Sequence, residues 1–222
     1  LPFFAFALPL FVFCIYASLS QGVSIIVRDD VYAHYFSARF LFEQPRFLVH
    51  WYSKPLFTGL SALFLVVLPF GVKTIEFLNC IISSLTCLAV FKLCELIFRD
   101  KKYSILSVAF LFANPLYFTY AYSGLSEPLF ALLITLAVYF YYKRELGKAS
   151  LMISLSTLVR LEGFFLIPFW AVFIMMRFGN CPNMHAHSKR IMNIFTLLSG
   201  PVFWLIMSVI LTGDALYPLR TY

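Results

Sequence analysis

Residues 27–55 read VRDDVYAHYFSARFLFEQPRFLVHWYSKP and separate two long apolar regions of the chain. The stretch concentrates Arg, Asp, His, Glu and Lys side chains, which are scarce on either side of it. Two adjacent aspartates, Asp29 and Asp30, stand where the first apolar region ends. Carboxylates at a bilayer boundary are costly to desolvate unless a water-filled cavity, a cation or a partner receives them. This stretch is therefore predicted to be the functional part of the chain.

The composition favours a membrane protein. Of 222 residues, 62% are apolar and only 12% are charged, against about 45–50% and about 25% in soluble domains. Several apolar stretches approach or exceed the roughly 20 residues with which a helix crosses a bilayer. The net charge of +7 arises from Lys and Arg in short loops, where these residues set the orientation of the helices. We predict one all-α integral membrane domain over residues 1–222, surrounded by membrane lipids and without a nucleic-acid partner.

About seven transmembrane helices are predicted from the lengths of the apolar stretches. Their predicted ranges are 1–27, 74–98, 103–120, 127–142, 149–159, 164–176 and 191–211. The ranges 149–159 and 164–176 are short for complete crossings, and broken spans are tolerated where they line a cavity.

Two further helices are predicted between the first two spans. Residues 30–43 have helical spacing, with Asp30 and His34 on one face and apolar side chains such as Val31 elsewhere, which is typical of a helix at the membrane interface. Pro45 is expected to end it. Residues 56–70 are too short to span comfortably and are predicted to form a re-entrant or interfacial helix, because this choice places the later basic loops on one side.

On this topology four polar segments meet on the side opposite the basic loops. They are the first loop and residues 123–128, 160–163 and 213–222. Asp29 and Asp30 are the candidate catalytic residues there, since paired carboxylates can supply a general base and an anchor for a cation such as Mg²⁺ or Mn²⁺. The alternative is that one of them caps the N-terminus of the following helix.

Other polar residues of these segments have two interpretations each. Lys54, with His50 and Arg28, could neutralise a phosphate, or the same side chains could reach toward lipid headgroups. Glu127 could line the cavity or stabilise the positive end of its helix. Arg160 and Glu162 could belong to the site or could simply pair with each other.

Four short motifs resemble the GT-C superfamily of glycosyltransferases, which use polyprenyl-phosphate-linked sugars. The similarity is greatest to the branch with protein O-mannosyltransferases and lipid A aminoarabinose transferases. It extends from Arg28 to about Tyr222. The motifs, in order, are DDVYAHYFSARFL (29–41), SKPLFTGLSALF (53–64), NPLYFTYAYSGLSEPLFALL (114–133) and LVRLEGFFLIP (158–168).

The resemblance implies roles for individual residues. An acidic residue in the first external loop, here Asp29 or Asp30, is implied to be the catalytic base or to associate with a metal ion. Lys54, followed by proline, is implied to contact the donor phosphate, and Glu127 to line the site. Tyr32, in the first motif, is a further candidate for binding substrate. Asp-Asp replaces the Asp-Glu common in these branches, which leaves the identity of the base open.

The resemblance also implies a multi-pass enzyme of the bacterial or archaeal cell membrane, or of the endoplasmic reticulum membrane. It would transfer a mannose-like hexose from a polyprenyl or dolichyl phosphate to an unidentified acceptor at the external or lumenal face. Full-length members usually have more spans, so the C-terminal part of such an enzyme is expected to be missing. A transporter with an acidic ion site and a non-catalytic membrane assembly subunit are the alternatives.

Overall fold

The structure is a computed structural model that describes residues 2–19, 28–50, 52, 54–178 and 184–220. All regular secondary structure in these residues is helical, as predicted. The helices are α1 (Pro2–Leu19), α2 (Arg28–Arg39), α3 (Pro55–Val67), α4 (Val72–Phe98), α5 (Lys101–Ala113), α6 (Pro115–Tyr120), α7 (Glu127–Tyr142), α8 (Leu146–Thr157), α9 (Glu162–Phe178), α10 (Met184–Thr212) and α11 (Tyr217–Arg220), with a 3₁₀ helix at Pro45–Leu48.

Three helices of the described chain are long and apolar enough to cross a membrane. They are Pro2–Leu19, Val72–Phe98 and the Ser188–Thr212 part of α10. At about 1.5 Å per residue, α4 is roughly 40 Å long, which exceeds the thickness of the hydrocarbon core. These helices support the prediction of a helical membrane protein.

The long helix α4 lies at the centre of the packing. It contacts α1, α5 and α7, while α8 joins α7 to α9 and α10. The main apolar core lies between α3, α4, α7 and α8 and includes the fully buried Phe57, Ile75 and Val159. Phe57, Ile75 and Leu129 of this core lie in the first turns of α3, α4 and α7.

The prediction of one continuous helix over residues 103–120 was wrong. The chain breaks at Asn114, which is extended (φ −71°, ψ 116°), because a residue before proline disfavours the helical conformation. The side-chain oxygen of Asn114 then accepts hydrogen bonds from the backbone of Leu116 (3.0 Å) and Tyr117 (3.2 Å) and so caps α6. The segment is two helices, α5 and α6.

The prediction for the helix at 30–43 was partly wrong. Helix α2 begins earlier, at Arg28, and ends at Arg39, and Pro45 starts the 3₁₀ helix instead of only stopping α2, since proline fits the first turn of a helix. Val31 and His34 are both buried, so they share the packed face of α2. Spacing three residues apart places them together there.

Most of the remaining predicted boundaries lie within three residues of those in the structure, but α10 begins at Met184, seven residues before the predicted start at 191. Helix α7 has the predicted range, and α3 and α8, with 13 and 12 residues, are as short as predicted. The predicted first span extends beyond α1 into residues 20–27, which lie outside the described residues.

Candidate functional site

Four charged side chains from separate parts of the sequence meet near the starts of three helices. Lys54 directly precedes α3, Glu127 is the first residue of α7, Arg160 lies between α8 and α9, and Glu162 begins α9. The charges of Arg160, Glu162 and Glu127 all act on Lys54. We call these four residues the ion cluster. Each of them was a predicted site residue.

Arg160 connects the cluster. Its Nη1 atom lies 2.5 Å from Oε1 of Glu127, and its Nη2 and Nε atoms donate to the two carboxylate oxygens of Glu162 at 2.7 and 3.1 Å. This forked arrangement is among the stronger hydrogen-bonding geometries in proteins. The hydrogen bond with Glu162 raises the pKa of Arg160. Arg160 therefore does more than pair with Glu162, because it also fixes a carboxylate of another helix.

Lys54 is half-buried beside this network. Burial lowers the pKa of Lys54, and the charge of Arg160 lowers it further, while Glu162, Glu127 and Asp30 oppose the change. A half-buried cation in this setting is stabilised by additional negative charge. An anionic ligand next to Lys54 would provide it.

The two aspartates occupy different environments. Both are exposed in the first turn of α2, but the hydroxyl of Tyr52 donates a hydrogen bond to Oδ1 of Asp30. Burial, followed by the hydrogen bond with Asp30, raises the pKa of Tyr52, so Tyr52 keeps its proton at neutral pH. Asp29 has no such contact within the described residues.

The alternative that Asp29 or Asp30 caps α2 was wrong about where these residues lie. It required Asp29 or Asp30 to precede the helix, whereas α2 already includes Arg28. Both carboxylates instead lie inside the first turn, where they favour the positive end of the helix. One such carboxylate is enough for this effect, which leaves the second without a purely structural reason.

His34 lies one turn after Asp30 on the buried face of α2 and is only 5% exposed. Its ring packs edge-on against Phe57, with centroids 5.3 Å apart, and lies 5.5 Å from the ring of Tyr52. Nδ1 of His34 is buried and lacks a hydrogen-bond partner among the described residues. Burial, reinforced by the charge of Lys54, lowers the pKa of His34 to about 4. The imidazole is therefore neutral at pH 7.

Three predicted substrate-binding residues are not brought into the ion cluster by any described contact. Tyr32 is exposed, and its ring lies 6.3 Å from that of Phe36. His50 accepts a hydrogen bond at Nδ1 from the backbone N–H of Tyr52 (3.4 Å) and so supports the loop before Lys54. Arg28 begins α2, but its side chain lies outside the described part of the structure.

An apolar groove of about 690 Å³ opens beside the ion cluster. Its walls come from α3, α8, α10 and the loop after α2, and include Phe42, Leu48, Leu60, Leu63, Leu155 and Phe203. The backbone N–H of Leu56 donates to the carbonyl of Leu158 (3.0 Å), and both residues line the groove. They lie two residues after Lys54 and two before Arg160, so the groove adjoins the cluster.

Sequence reasoning missed Tyr52 and did not assign His34 to the site. The Tyr52–Asp30 contact joins residues 22 positions apart, and no periodic pattern relates two such positions. A signal was present for His34, since its spacing from Val31 places both on one helix face. A histidine on the apolar face of a helix that also carries the aspartate pair could have been predicted to belong to the site.

The carboxylates offer a limited metal site. Within the described residues, no group of three or more His, Cys, Asp or Glu side chains is arranged to hold a metal ion. Mg²⁺, however, commonly binds through one or two carboxylates together with water and substrate phosphate. Asp29 and Asp30 fit this mode, with one oxygen of Asp30 already engaged by Tyr52.

The arrangement combines three chemical capacities within a small region. Exposed carboxylates can accept a proton, the cations Lys54 and Arg160 can stabilise an anion, and the groove can receive an apolar chain. No family model, curated protein or solved structure matches the chain.

Proposed function

We propose that the protein is an inverting glycosyltransferase that transfers a sugar, most simply a mannose-like hexose, from a polyprenyl or dolichyl phosphate to a protein, lipid or glycan acceptor. The observation that carries this proposal is the apolar groove adjoining a half-buried cation and an exposed aspartate pair. A lipid-phosphate sugar needs these three environments together. Its tail is apolar, its phosphate is anionic, and its acceptor must lose a proton.

In the proposed reaction, the acceptor, the aspartates and the lipid phosphate each have one role. An acceptor hydroxyl or amine attacks the anomeric carbon while Asp29 or Asp30 takes its proton, and the bond from that carbon to the phosphate oxygen breaks. The electron pair of this bond leaves with the lipid phosphate. Asp29 is open to solvent and Asp30 is oriented by Tyr52, so either carboxylate can act as the base and the other can orient the acceptor.

Lys54 is assigned to the leaving phosphate. Charge on that phosphate grows as the bond breaks, and a fixed ammonium stabilises this charge most in a water-poor site. Arg160 keeps Glu127 and Glu162 paired, so these carboxylates repel the phosphate less. The lipid tail lies in the groove that starts at Pro55, the residue after Lys54.

A divalent cation would be held by Asp29 and Asp30 with donor phosphate oxygens and water. Mg²⁺ or Mn²⁺ in that position would neutralise part of the phosphate charge.

We further propose about seven membrane crossings. The shorter helices would cross the membrane in addition to α1, α4 and α10. Helices α7 and α9, at 16 and 17 residues, are roughly 24–26 Å long and nearly match the hydrocarbon thickness. The ion cluster would face the exterior of a bacterial or archaeal cell, or the lumen of the endoplasmic reticulum. The basic loops would lie on the other side.

The test is transfer by purified protein from labelled polyprenyl-phosphate sugars, with mannose, glucose, galactose and aminoarabinose among the donors. Membrane extract supplies protein, lipid and glycan acceptors together. We expect label to appear in acceptor with one of these donors and to disappear in the Asp29→Asn, Asp30→Asn double variant. Neither transfer nor binding across the panel would contradict the proposal and would favour a non-catalytic assembly subunit.

A transporter is the second candidate because of one buried carboxylate. Glu76 in α4 is 1% exposed and pairs with Lys73 at 2.8 Å, and ionisable residues within membrane helices often mark ion pathways. Uptake of sodium ions or protons into vesicles that contain the purified protein would distinguish this function. Loss of that uptake in Glu76→Gln, with no sugar transfer in the wild type, would favour transport.

A further inference from the structure

We propose that His34 binds a hydroxyl group of the donor sugar through its buried imidazole. This inference rests on the proposed function and adds to it a residue that selects the sugar. It starts from the buried Nδ1 atom of His34, which lacks a hydrogen-bond partner among the described residues. Leaving such a buried polar atom without a hydrogen bond is unfavourable, and nearly all buried polar groups in folded proteins have a partner. A ligand atom is the partner that the site can supply.

The position of His34 places it near the expected position of the donor sugar. Its ring lies against Tyr52, which holds Asp30, and against Phe57 in the first turn of α3, three residues after Lys54. Lys54 is assigned to the phosphate, and the sugar is bonded directly to that phosphate. A sugar next to Lys54 therefore lies within reach of the side chains between Lys54 and α2.

The chemistry of His34 suits a hydroxyl better than a phosphate. The charged and titratable groups that act on it are Lys54, Asp30 and Arg160, with the Tyr52 ring beside it. Burial and the two cations oppose a positive imidazolium, so the ring is a neutral donor and acceptor. A hydroxyl is also both donor and acceptor, and therefore complements either tautomer.

The experiment compares affinities for undecaprenyl-phosphate mannose, glucose and galactose with that for undecaprenyl phosphate, which lacks the sugar. His34→Phe keeps a ring but removes both nitrogens. We expect it to weaken binding of the preferred sugar-bearing donor about 5- to 150-fold, the range for leaving a buried group without its hydrogen bond. Affinity for undecaprenyl phosphate should stay unchanged, which also shows that the variant is folded.

Two further variants separate ligand binding from a structural role. His34→Asn keeps a polar atom near the position of Nδ1 and should recover part of the affinity for the sugar. Ser37→Ala removes another buried polar group from the same helix and should leave both affinities unchanged.

A set of donors that each lack one sugar hydroxyl gives the sharpest result. One of them should bind the wild type about 5- to 150-fold more weakly than the complete donor, and this difference should vanish in His34→Phe. If the wild type distinguishes sugar-bearing from sugar-free lipid but His34→Phe does so equally well, the role of His34 is wrong and the proposed function stands. If the wild type binds none of these lipids, both proposals fail.

Discussion

The two ends of α7 carry charged residues in different ways. At its start, Glu127 pairs with Arg160 from another part of the fold, and the two side chains are only 34% and 26% exposed. Just beyond its end, Lys143 is exposed, and the nearby pair of Lys148 and Glu145 (2.6 Å) joins residues three positions apart. Exposed local pairs contribute little to stability. The charges at the first end are positioned by contacts between distant parts of the chain, whereas the pair at the second end is local and its lysines are exposed.

The same division applies to α4. Asn79, in the first part of α4, donates to the carbonyl of Leu125 (2.7 Å), just before α7. The two helices therefore begin at the same end, which we call the site end. Arg99 follows α4 as Lys143 follows α7, at what we call the basic end. The difference predicts that substitutions at the site end alter chemistry or folding, and that those at the basic end alter neither.

The largest expected effect concerns the aspartates. Asp29→Asn or Asp30→Asn should lower turnover about 10²–10⁴-fold, the usual contribution of a positioned acid or base, with little change in stability because Asn keeps the shape. Turnover of the labelled donor in purified protein measures this. Lys148→Ala at the basic end is the control and should keep normal turnover. Wild-type turnover in both Asp variants would refute the assignment.

A glycine pair tests how tightly the site end is packed. Gly124 has a left-handed backbone (φ 76°), and a Cβ atom there would lie 2.9 Å from Cγ1 of Val31. Gly213 has a similar φ of 75° with nothing within 4 Å of such an atom. Gly213→Ala should cost about 1–2 kcal/mol for the backbone alone.

Gly124→Ala should cost about 1–3 kcal/mol more, because α2 must shift to relieve the clash. Unfolding of both variants in the same detergent measures the difference. Equal destabilisation would mean that α2 does not pack closely on the loop before α7.

Substitutions of Lys54 distinguish binding of the donor phosphate from attraction to lipid headgroups. On the proposed function, Lys54→Ala should weaken donor use by about 1.5–3 kcal/mol, the range for a hydrogen bond to a charged group. Lys54→Arg should recover only part, since the planar guanidinium does not replace a compact ammonium. Donor-dependent kinetics measure both, with Lys143→Ala as the control. Unchanged donor dependence in Lys54→Ala, at equal protein levels, would remove the phosphate role.

The burial of His34 predicts a pH dependence of stability. A histidine has a pKa of about 6.5 in the unfolded chain and about 4 in the folded protein. Between these values His34 is protonated only in the unfolded chain. The contribution of the neutral, buried His34 to the free energy of unfolding is therefore complete above about pH 6.5 and falls as the pH drops toward 4.

Integrating between pH 7 and pH 5 gives a loss of roughly 2 kcal/mol. Denaturant unfolding at the two pH values should show this loss in the wild type and a smaller loss in His34→Phe, which has no group to protonate. The difference between the two proteins isolates His34 from the carboxylates. Identical pH dependence would mean that His34 is hydrated in the folded state.

The sequence predicted helices better than contacts. The range of α7 was predicted correctly because serine and glutamate precede a long apolar run, a typical helix start. The break at Asn114 was overlooked although Asn-Pro marks a turn, since the apolar run continues through it. Membrane composition hides such breaks, because both parts are equally apolar.

The candidate site was predicted in part for a related reason. Lys54, Glu127, Arg160 and Glu162 stand out as charges in an apolar chain, and helix connectivity was enough to predict that they would meet. The partner of Asp30 was not predictable, because the loop that carries Tyr52 has no regular period. The groove also escaped prediction, since its apolar lining resembles any lipid-facing surface.

Accessibility from the two sides of the membrane tests most directly whether the site end and the basic end lie in different compartments. Single cysteines replace exposed residues in a background without the native cysteines: Leu161 at the site end, and Lys101 and Lys143 at the basic end. A membrane-impermeant thiol reagent is applied to sealed vesicles of known orientation. We predict that Leu161→Cys reacts from one side and that both Lys variants react from the other. Reaction of Leu161→Cys and Lys101→Cys from the same side would contradict the account.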